Sequence, residues 1–279
     1  MSVINTNIQS LQARDALGVN NRSLTEAMQR LATGKRINSA ADDAAGLAIS
    51  NRMTSQIRGL NQAVRNANDA ISVAQTAESS TQEITNMLQR MRELAIQSAN
   101  DTNSSADRDS LQAEMSELID AVDDIASNTK FNDMTILQGS ASDLGTAGAV
   151  TFQIGAVSGQ TITLNLQSMA TSASSLAIAS LDISTLSGAS SALASLDTAI
   201  ATIDDFRSDL GAKINAFTHA MDNLTTVSQN TSAARSRILD ADYASETMEL
   251  ARTQIIQNAA TAMLSQANQQ PRNVLMLLQ

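Results

Sequence analysis

With 279 residues, 43% of them hydrophobic, the chain is long enough to bury a sizeable apolar interior in one or two domains. A net charge of -10 and a pI near 4.5 repel phosphate backbones and anionic head groups, which argues against nucleic acid and membranes as partners. The absence of cysteine excludes disulfides, thiol catalysis and thiolate metal sites, and an aromatic content of 2% does not suit an aromatic-lined ligand pocket.

Residues 1–11 contain no basic residue and no continuous apolar core, so they do not read as a cleavable secretory signal. Ile4, Ile8, Leu11, Leu17, Leu24, Met28 and Leu31 fall on one helical face. That helix should stop near Thr33-Gly34, where a glycine follows the last periodic residue. Residues 34–45 lose the period and read as a linker in which Ser39 or Asp42 could cap the next helix.

From Ile49 to Ser98, steps of three and four give Ile49, Met53, Ile57, Leu60, Val64, Ala67, Ile71, Ala74, Ala77, Thr81, Ile84, Leu88, Met91, Ala95 and Ser98. A repeat near 3.5 residues sustained over several heptads is the pattern of a coiled-coil seam. A helix of that length spans roughly 75 Å and needs a long partner. After a polar tract, Ser105-Ala106-Asp107 opens a helix striped by Leu111, Met115, Leu118, Val122 and Ile125, folding back against the rod.

Helical periodicity vanishes between Gly139 and Gly159. Val150, Phe152 and Ile154, then Ile162, Leu164 and Leu166, alternate with polar residues around a glycine-containing turn and predict a β-hairpin. Residues 168–191 are rich in Ser and Ala and read as a surface connection. A second long ladder from Leu193 to Ile238 supplies the partner of the first rod. The period slips at residues 238–242 and resumes at Ala244, Met248, Ala251, Ile255, Ala259 and Ala262, in a short helix expected to end around Gln269 to Pro271. The fold class is mainly α: a long antiparallel coiled-coil bundle with a small β-hairpin region, flanked by paired N- and C-terminal helices.

Those terminal helices have narrow, alanine-rich apolar faces that are marginal in isolation. Val274, Leu275 and Leu278 add aliphatic surface at the end of the chain. Both ends are therefore expected to order only when many copies pack together.

No chemistry of catalysis is found. His219 is the one histidine, two residues from Phe217 and Met221, and reads as solvent-facing. The acidic pairs Asp42-Asp43, Asp123-Asp124 and Asp204-Asp205 lack a second cluster and read as caps and solvated faces, and Asp240-Ala241-Asp242 lacks the glycine and distal Glu of a calcium loop. No cofactor or metal is expected, and an enzyme is the distant alternative.

Several blocks resemble bacterial flagellins: Ile4 to Asn7, Leu31 to Ala40, Asp42 to Ile49, Gln89 to Ala95, Phe152 to Gly155 with Gly159 to Ile162, and Ala267 to Leu278. The resemblance implies a structural subunit that polymerises into the flagellar filament, in a minimal form lacking large outer domains; the alternative within the superfamily is the hook-filament junction protein. It implies an inner tube around a channel built from residues 1–40 and 240–279, with the uncharged polar side chains Gln254, Gln257, Asn258, Thr261, Ser265 and Asn268 as candidates for lining that channel, and an outer rod from 41–239 with the hairpin region at about 135–167. It further implies export to the extracellular flagellum through a type III route without a cleavable signal, beneath a cap protein, with a secretion chaperone for the C-terminal segment. Ile255, Met263, Val274, Leu275 and Leu278 are candidates for chaperone and assembly contacts, and Ile4, Ile8 and Leu11 for assembly at the N-terminus. Arg90, Leu94 and Glu114 match positions through which a Toll-like innate immune receptor detects some members, or serve subunit contacts instead. Leu94 can sit off the seam.

Overall fold

The computed structural model describes residues 6–139, 148–173 and 175–276, with side chains described as far as residue 269. Among them are five helices and two antiparallel strand pairs, a mainly α fold as the sequence predicts. In chain order these are α1 (Ile8–Thr33), α2 (Ala44–Ser98), α3 (Ser105–Asn128), β1 (Lys130–Phe131), β2 (Met134–Thr135), β3 (Ala149–Gln153), β4 (Thr161–Asn165), α4 (Leu186–Leu239) and α5 (Tyr243–Met276). The chain forms two compact units, a terminal one of Met1–Ile57 with Gln229–Gln279 and a central one of Arg58–Ser228. These divisions fall inside the continuous helices α2 and α4, whereas the sequence boundaries at 40 and 240 fall in the linkers.

In the central unit, α2 and α4 run antiparallel. Arg92 Nε donates to Asp197 Oδ1 at 2.7 Å near one end, and Ser228 Oγ donates to Asn61 Oδ1 at 2.9 Å near the other. The buried line of α2 in this unit is Leu60, Ala63, Ala67, Ala70, Ala74, Ala77, Thr81, Ile84, Leu88, Met91, Ala95 and Ser98. Val64 and Ile71, expected on this seam, are only half-buried, and Ala63 and Ala70 replace them. Alanine at successive layers lets two backbones approach closely, so the bulkier β-branched neighbours move to the flanks.

Helix α3 starts with a capping box: Asp107 N–H donates to Ser104 Oγ while the Asp107 carboxylate accepts from Ser104 N–H. It returns along α2 and buries Met115, Ile119, Val122 and Ala126. Leu111, Leu118 and Ile125 of the predicted stripe are half-buried beside that line.

Strands β1 and β2 form a small hairpin absent from the sequence reading. Its two-residue turn, Asn132-Asp133, has φ of 50° and 63°, the left-handed conformation that Asn and Asp tolerate. Strands β3 and β4 are the predicted hairpin, in register from Ala149↔Asn165 to Gln153↔Thr161. At its base Gly148 has φ +80°, and a Cβ there would lie 2.4 Å from the Leu166 carbonyl oxygen, so only glycine fits. Asn66 Nδ2 of α2 donates to the Gln153 carbonyl at 2.9 Å, and Phe152 meets Phe217 of α4 edge-on with ring centroids 5.8 Å apart.

The segment expected to be a surface connection is instead a buried strap. Leu166, Met169, Leu176, Ile178 and Ile183 belong to the central core. Thr171 donates through N and Oγ1 to the two carboxylate oxygens of Asp123, at 2.7 and 2.8 Å, and Ile183 N–H donates to Gln112 Oε1 at 2.7 Å. Its apolar residues follow neither a helical nor a strand period, so a periodicity argument does not find them.

In the terminal unit α1 ends as predicted: Gly34 is left-handed at φ 67° and its N–H returns to the Arg30 carbonyl. The two linkers pair through Arg36 N–H to Leu239 O at 2.8 Å and Ala241 N–H to Gly34 O at 3.0 Å. The cap of α2 is neither Ser39 nor Asp42. Asp43 Oδ1 accepts from Gly46 N–H at 2.8 Å, while Asp42 folds the linker by accepting from the N–H groups of Ser39 and Asn38 at 2.7 and 3.0 Å. Those backbone bonds, Ser39 first, hold the Asp42 carboxyl below the usual value of 3.8. The linker's stabilisation by Asp42 is thus complete above pH 3.8 and lost as pH falls through the lower folded value. NMR titration should show the Asn38 and Ser39 amide signals moving together with a midpoint below 3.8; a midpoint at or above 3.8 would contradict this role.

Helix α5 does not stop at Gln269 to Pro271 but runs through Pro271 to Met276. The fixed φ of proline is compatible with a helix, at the cost of one N–H donor and of crowding at the carbonyl four residues before it.

Candidate functional site

The pairing of α1 with α5 decides which faces of the terminal unit remain open. On α1 the residues turned toward α5 are Ala13, Leu17, Asn20, Leu24, Ala27 and Leu31, spaced by three and four. On α5 they are Glu246, Leu250, Thr253, Gln257, Ala260, Leu264 and Ala267 at the same spacing. Much of this seam is polar. Asn20 Nδ2 donates to the Thr253 carbonyl at 2.8 Å, Gln257 Nε2 to Asn21 Oδ1 at 3.1 Å, and Arg30 pairs with the buried Glu246 at 3.2 Å. Asn7 Nδ2 donates to the Ala267 carbonyl at 2.7 Å and Ser10 Oγ to Asn268 Oδ1 at 2.8 Å.

The apolar ladder predicted for α5 therefore faces away from its partner. Ala244, Met248, Ala251, Ile255, Ala259 and Ala262 are all exposed, Met248 at 67% and Ile255 at 68%, with Met263 at 65% beside them. On α1, Ile8, Leu11, Val19 and Met28 are exposed as well, whereas Leu17, Leu24 and Leu31 turn inward. Polar rungs hold this orientation: on this face of α5 the buried Asn20 reaches the Thr253 carbonyl and the buried Glu246 reaches Arg30. An isolated chain so arranged leaves Ile8, Leu11, Met248, Ile255 and Met263 to solvent, the usual mark of an interaction surface. Ile4 and Leu278, and the side chains of Val274 and Leu275, lie outside the described residues. Of the candidate channel residues, Gln257 and Asn268 are bonded to α1, and Gln254, Asn258, Thr261 and Ser265 are exposed.

In the central unit Arg90 Nε donates to Glu114 Oε1 at 2.9 Å and Nη1 to Glu93 at 3.0 Å, joining α2 to α3 on an exposed face. The Glu114 hydrogen bond, then that of Glu93, raises the guanidinium's pKa further. Leu94 lies beside the line of Leu88, Met91 and Ala95, yet it is not exposed. It is 1% exposed within the central core, because α3 and α4 both pack on α2 there and cover two adjacent helical lines instead of one.

His219, Asp204 and Asp205 are exposed, while Asp123 is the acceptor that fixes the strap, a role that spacing along the sequence does not reveal. Among the described residues no group of three His, Cys, Asp or Glu side chains could hold a metal, and no helix is long and apolar enough to cross a membrane.

Comparison with known proteins gives consistent matches. The family model of the bacterial flagellin N-terminal helical region matches residues 4–142, and that of the C-terminal helical region matches residues 193–278. A flagellin of Halalkalibacterium halodurans is 44% identical over 276 residues, 99% of either chain. The flagellar filament 30.7 kDa core protein of Treponema maltophilum is 42% identical over 283 residues, again 99% of each. The crystal structure of Bacillus cereus flagellin aligns with a TM-score of 0.52 at 34% identity, covering 61% of this chain and 94% of that one.

Proposed function

Because this chain belongs to the bacterial flagellin family, we propose that the outward apolar face of α5, with Ile8, Leu11 and Met28 on α1, is where further copies of the chain pack in the filament. The chain is a structural subunit of the flagellar filament and not an enzyme, and self-polymerisation follows from the family. Relatives matched over 99% of their length and named as flagellins or filament core proteins favour the filament subunit over the junction protein.

The observation that carries the surface assignment is the inverted amphipathicity of α5, polar toward its own α1 and apolar toward solvent. A helix meant to finish its packing within one chain would turn Met248 and Ile255 inward. Contacts repeated from copy to copy by a non-closing operator build an open filament. In this proposal residues 1–40 and 240–279 form the inner tube and 41–239 the outer, and the ends gain most of their order on packing.

The finer partners belong to the same proposal. Exposed Ile255 and Met263 suit the grip of a secretion chaperone, and subunits leave by the flagellar export route to add beneath a cap, on a base of hook-junction protein. A Toll-like receptor would meet the exposed Arg90 and Glu114 pair, not Leu94, whose side chain is inside the core.

Purified chain seeded with short filament fragments should elongate into long filaments by electron microscopy. Amide exchange across residues 8–33 and 243–269 should slow sharply on elongation. Failure to elongate would remove the assembly reading, and full protection already in dilute monomer would remove the ordering on packing.

A further inference from the structure

All the sulfur of this chain is thioether: 12 methionines, with no cysteine and no tryptophan to compete for a two-electron oxidant. Which methionines such an oxidant meets is then a matter of exposure. Met91, Met115 and Met169 are fully buried in the central core, and Met53, Met87, Met134 and Met221 are half-buried. Among the described residues the exposed ones are Met28 on α1, at 55%, and Met248 and Met263 on α5. All three belong to the open faces of the terminal unit, where Met248 stands one heptad from Ile255 on the outward ladder.

We propose that Met28, Met248 and Met263 are oxidation sites of the free chain, and that their conversion to sulfoxide by a peroxide bars the subunit from the filament until they are reduced. This rests on the reading of that face as the packing surface between copies. In the reaction a lone pair of the thioether sulfur attacks one oxygen of hydrogen peroxide, an S–O bond forms and the O–O bond breaks. The other oxygen leaves as water, with sulfur giving up two electrons and the peroxide taking them. Access to the sulfur is all that the protein must supply.

A sulfoxide is a polar acceptor, whereas a thioether is a flexible apolar side chain. Water satisfies the new S–O group in the free chain, whether or not α1 and α5 are paired there. Beneath a neighbouring copy the same group enters a ladder of Met, Ile and Ala side chains, none of which has a donor to give it. The central core keeps its fold because its own methionines are shielded. Packing shields Met248 and Met263 in turn, so a finished filament resists an oxidant that disables free subunits.

Full-length chain treated with dilute hydrogen peroxide, mapped by peptide mass spectrometry and then seeded provides the test. Oxidation of Met28, Met248 and Met263 should outpace that of Met91, Met115 and Met169 by at least about tenfold. The concentration needed for filament growth should rise at least about tenfold, and both methionine sulfoxide reductases with a dithiol should restore it. The combined Met28→Leu, Met248→Leu and Met263→Leu variant keeps the apolar volume, so it should grow like the parent before and after peroxide. Met1 and Met276 remain in that variant, so its resistance assigns the effect to the three exposed sites. In finished filaments Met248 and Met263 should oxidise at least about tenfold more slowly than in free chain. Undiminished growth of the oxidised parent, equal peroxide sensitivity in the Leu variant, or unslowed oxidation in filaments would each overturn the proposal. Untreated parent that does not elongate removes the assembly reading and this proposal with it, an outcome told apart because it needs no peroxide.

Discussion

Ile255→Asp is expected to raise the concentration needed for seeded filament growth by at least about 100-fold while leaving the helix content of the free chain unchanged. Ile255 is 68% exposed and lies two residues from Thr253, on the side of α5 turned away from α1, so a carboxylate there is hydrated in the free chain. Once a neighbouring copy covers that face, the same carboxylate loses water without a designed cation to meet it. A cost of roughly 3 kcal/mol per subunit, modest for an unpaired buried charge, gives the 100-fold factor. Gln254→Asp, one position away, and Ile255→Leu serve as controls for charge and for packing. Sedimentation of polymer against subunit concentration provides the measurement. Unchanged growth of the Asp variant would mean that this face stays wet in the filament.

Phe217→Ala is expected to be among the most damaging single truncations in the central unit, at about 3–5 kcal/mol. The side chain is fully buried, and its ring meets Phe152 edge-on at 5.8 Å, so its removal opens a cavity and frees the β3–β4 hairpin together. For a unit of this size the loss corresponds to a fall of roughly 10 °C in melting temperature. Calorimetry of the free chain reads it directly, and NMR should place the largest shifts at Phe152 and its strand. A fall of one or two degrees would show that the hairpin does not depend on α4.

Elements whose apolar period continues uninterrupted are legible from sequence: α1 up to Gly34, α3 opening at Ser105, and the β3–β4 hairpin, whereas the cap of α3 is Ser104. What sequence leaves open is which of two faces a helix presents to which partner. The ladder of Met248 and Ile255 is real, but periodicity carries no information on whether it meets α1 or another chain. Leu94 is misplaced by a single-seam reading of α2, whereas a helix covered by two partners buries adjacent lines. The strap from Leu166 to Ile183 escapes because pinned irregular backbone has no period; its signal lies in Asp123 and Gln112, recognisable only once the chain is folded.

The antiparallel pairing of helices distant along the chain also sets a tempo. Helical proteins ordinarily fold fast because their contacts are local, yet here Arg92 finds Asp197 across 105 residues, Asn61 finds Ser228 across 167, and Asn7 finds Ala267 across 260. Loops of that size must close before any long seam returns free energy. The alanine face of α2 has no mate until α4 is present, so a chain emerging from its N-terminus holds little stable tertiary structure until nearly all of it is available. Slow nucleation is thereby written into the connectivity.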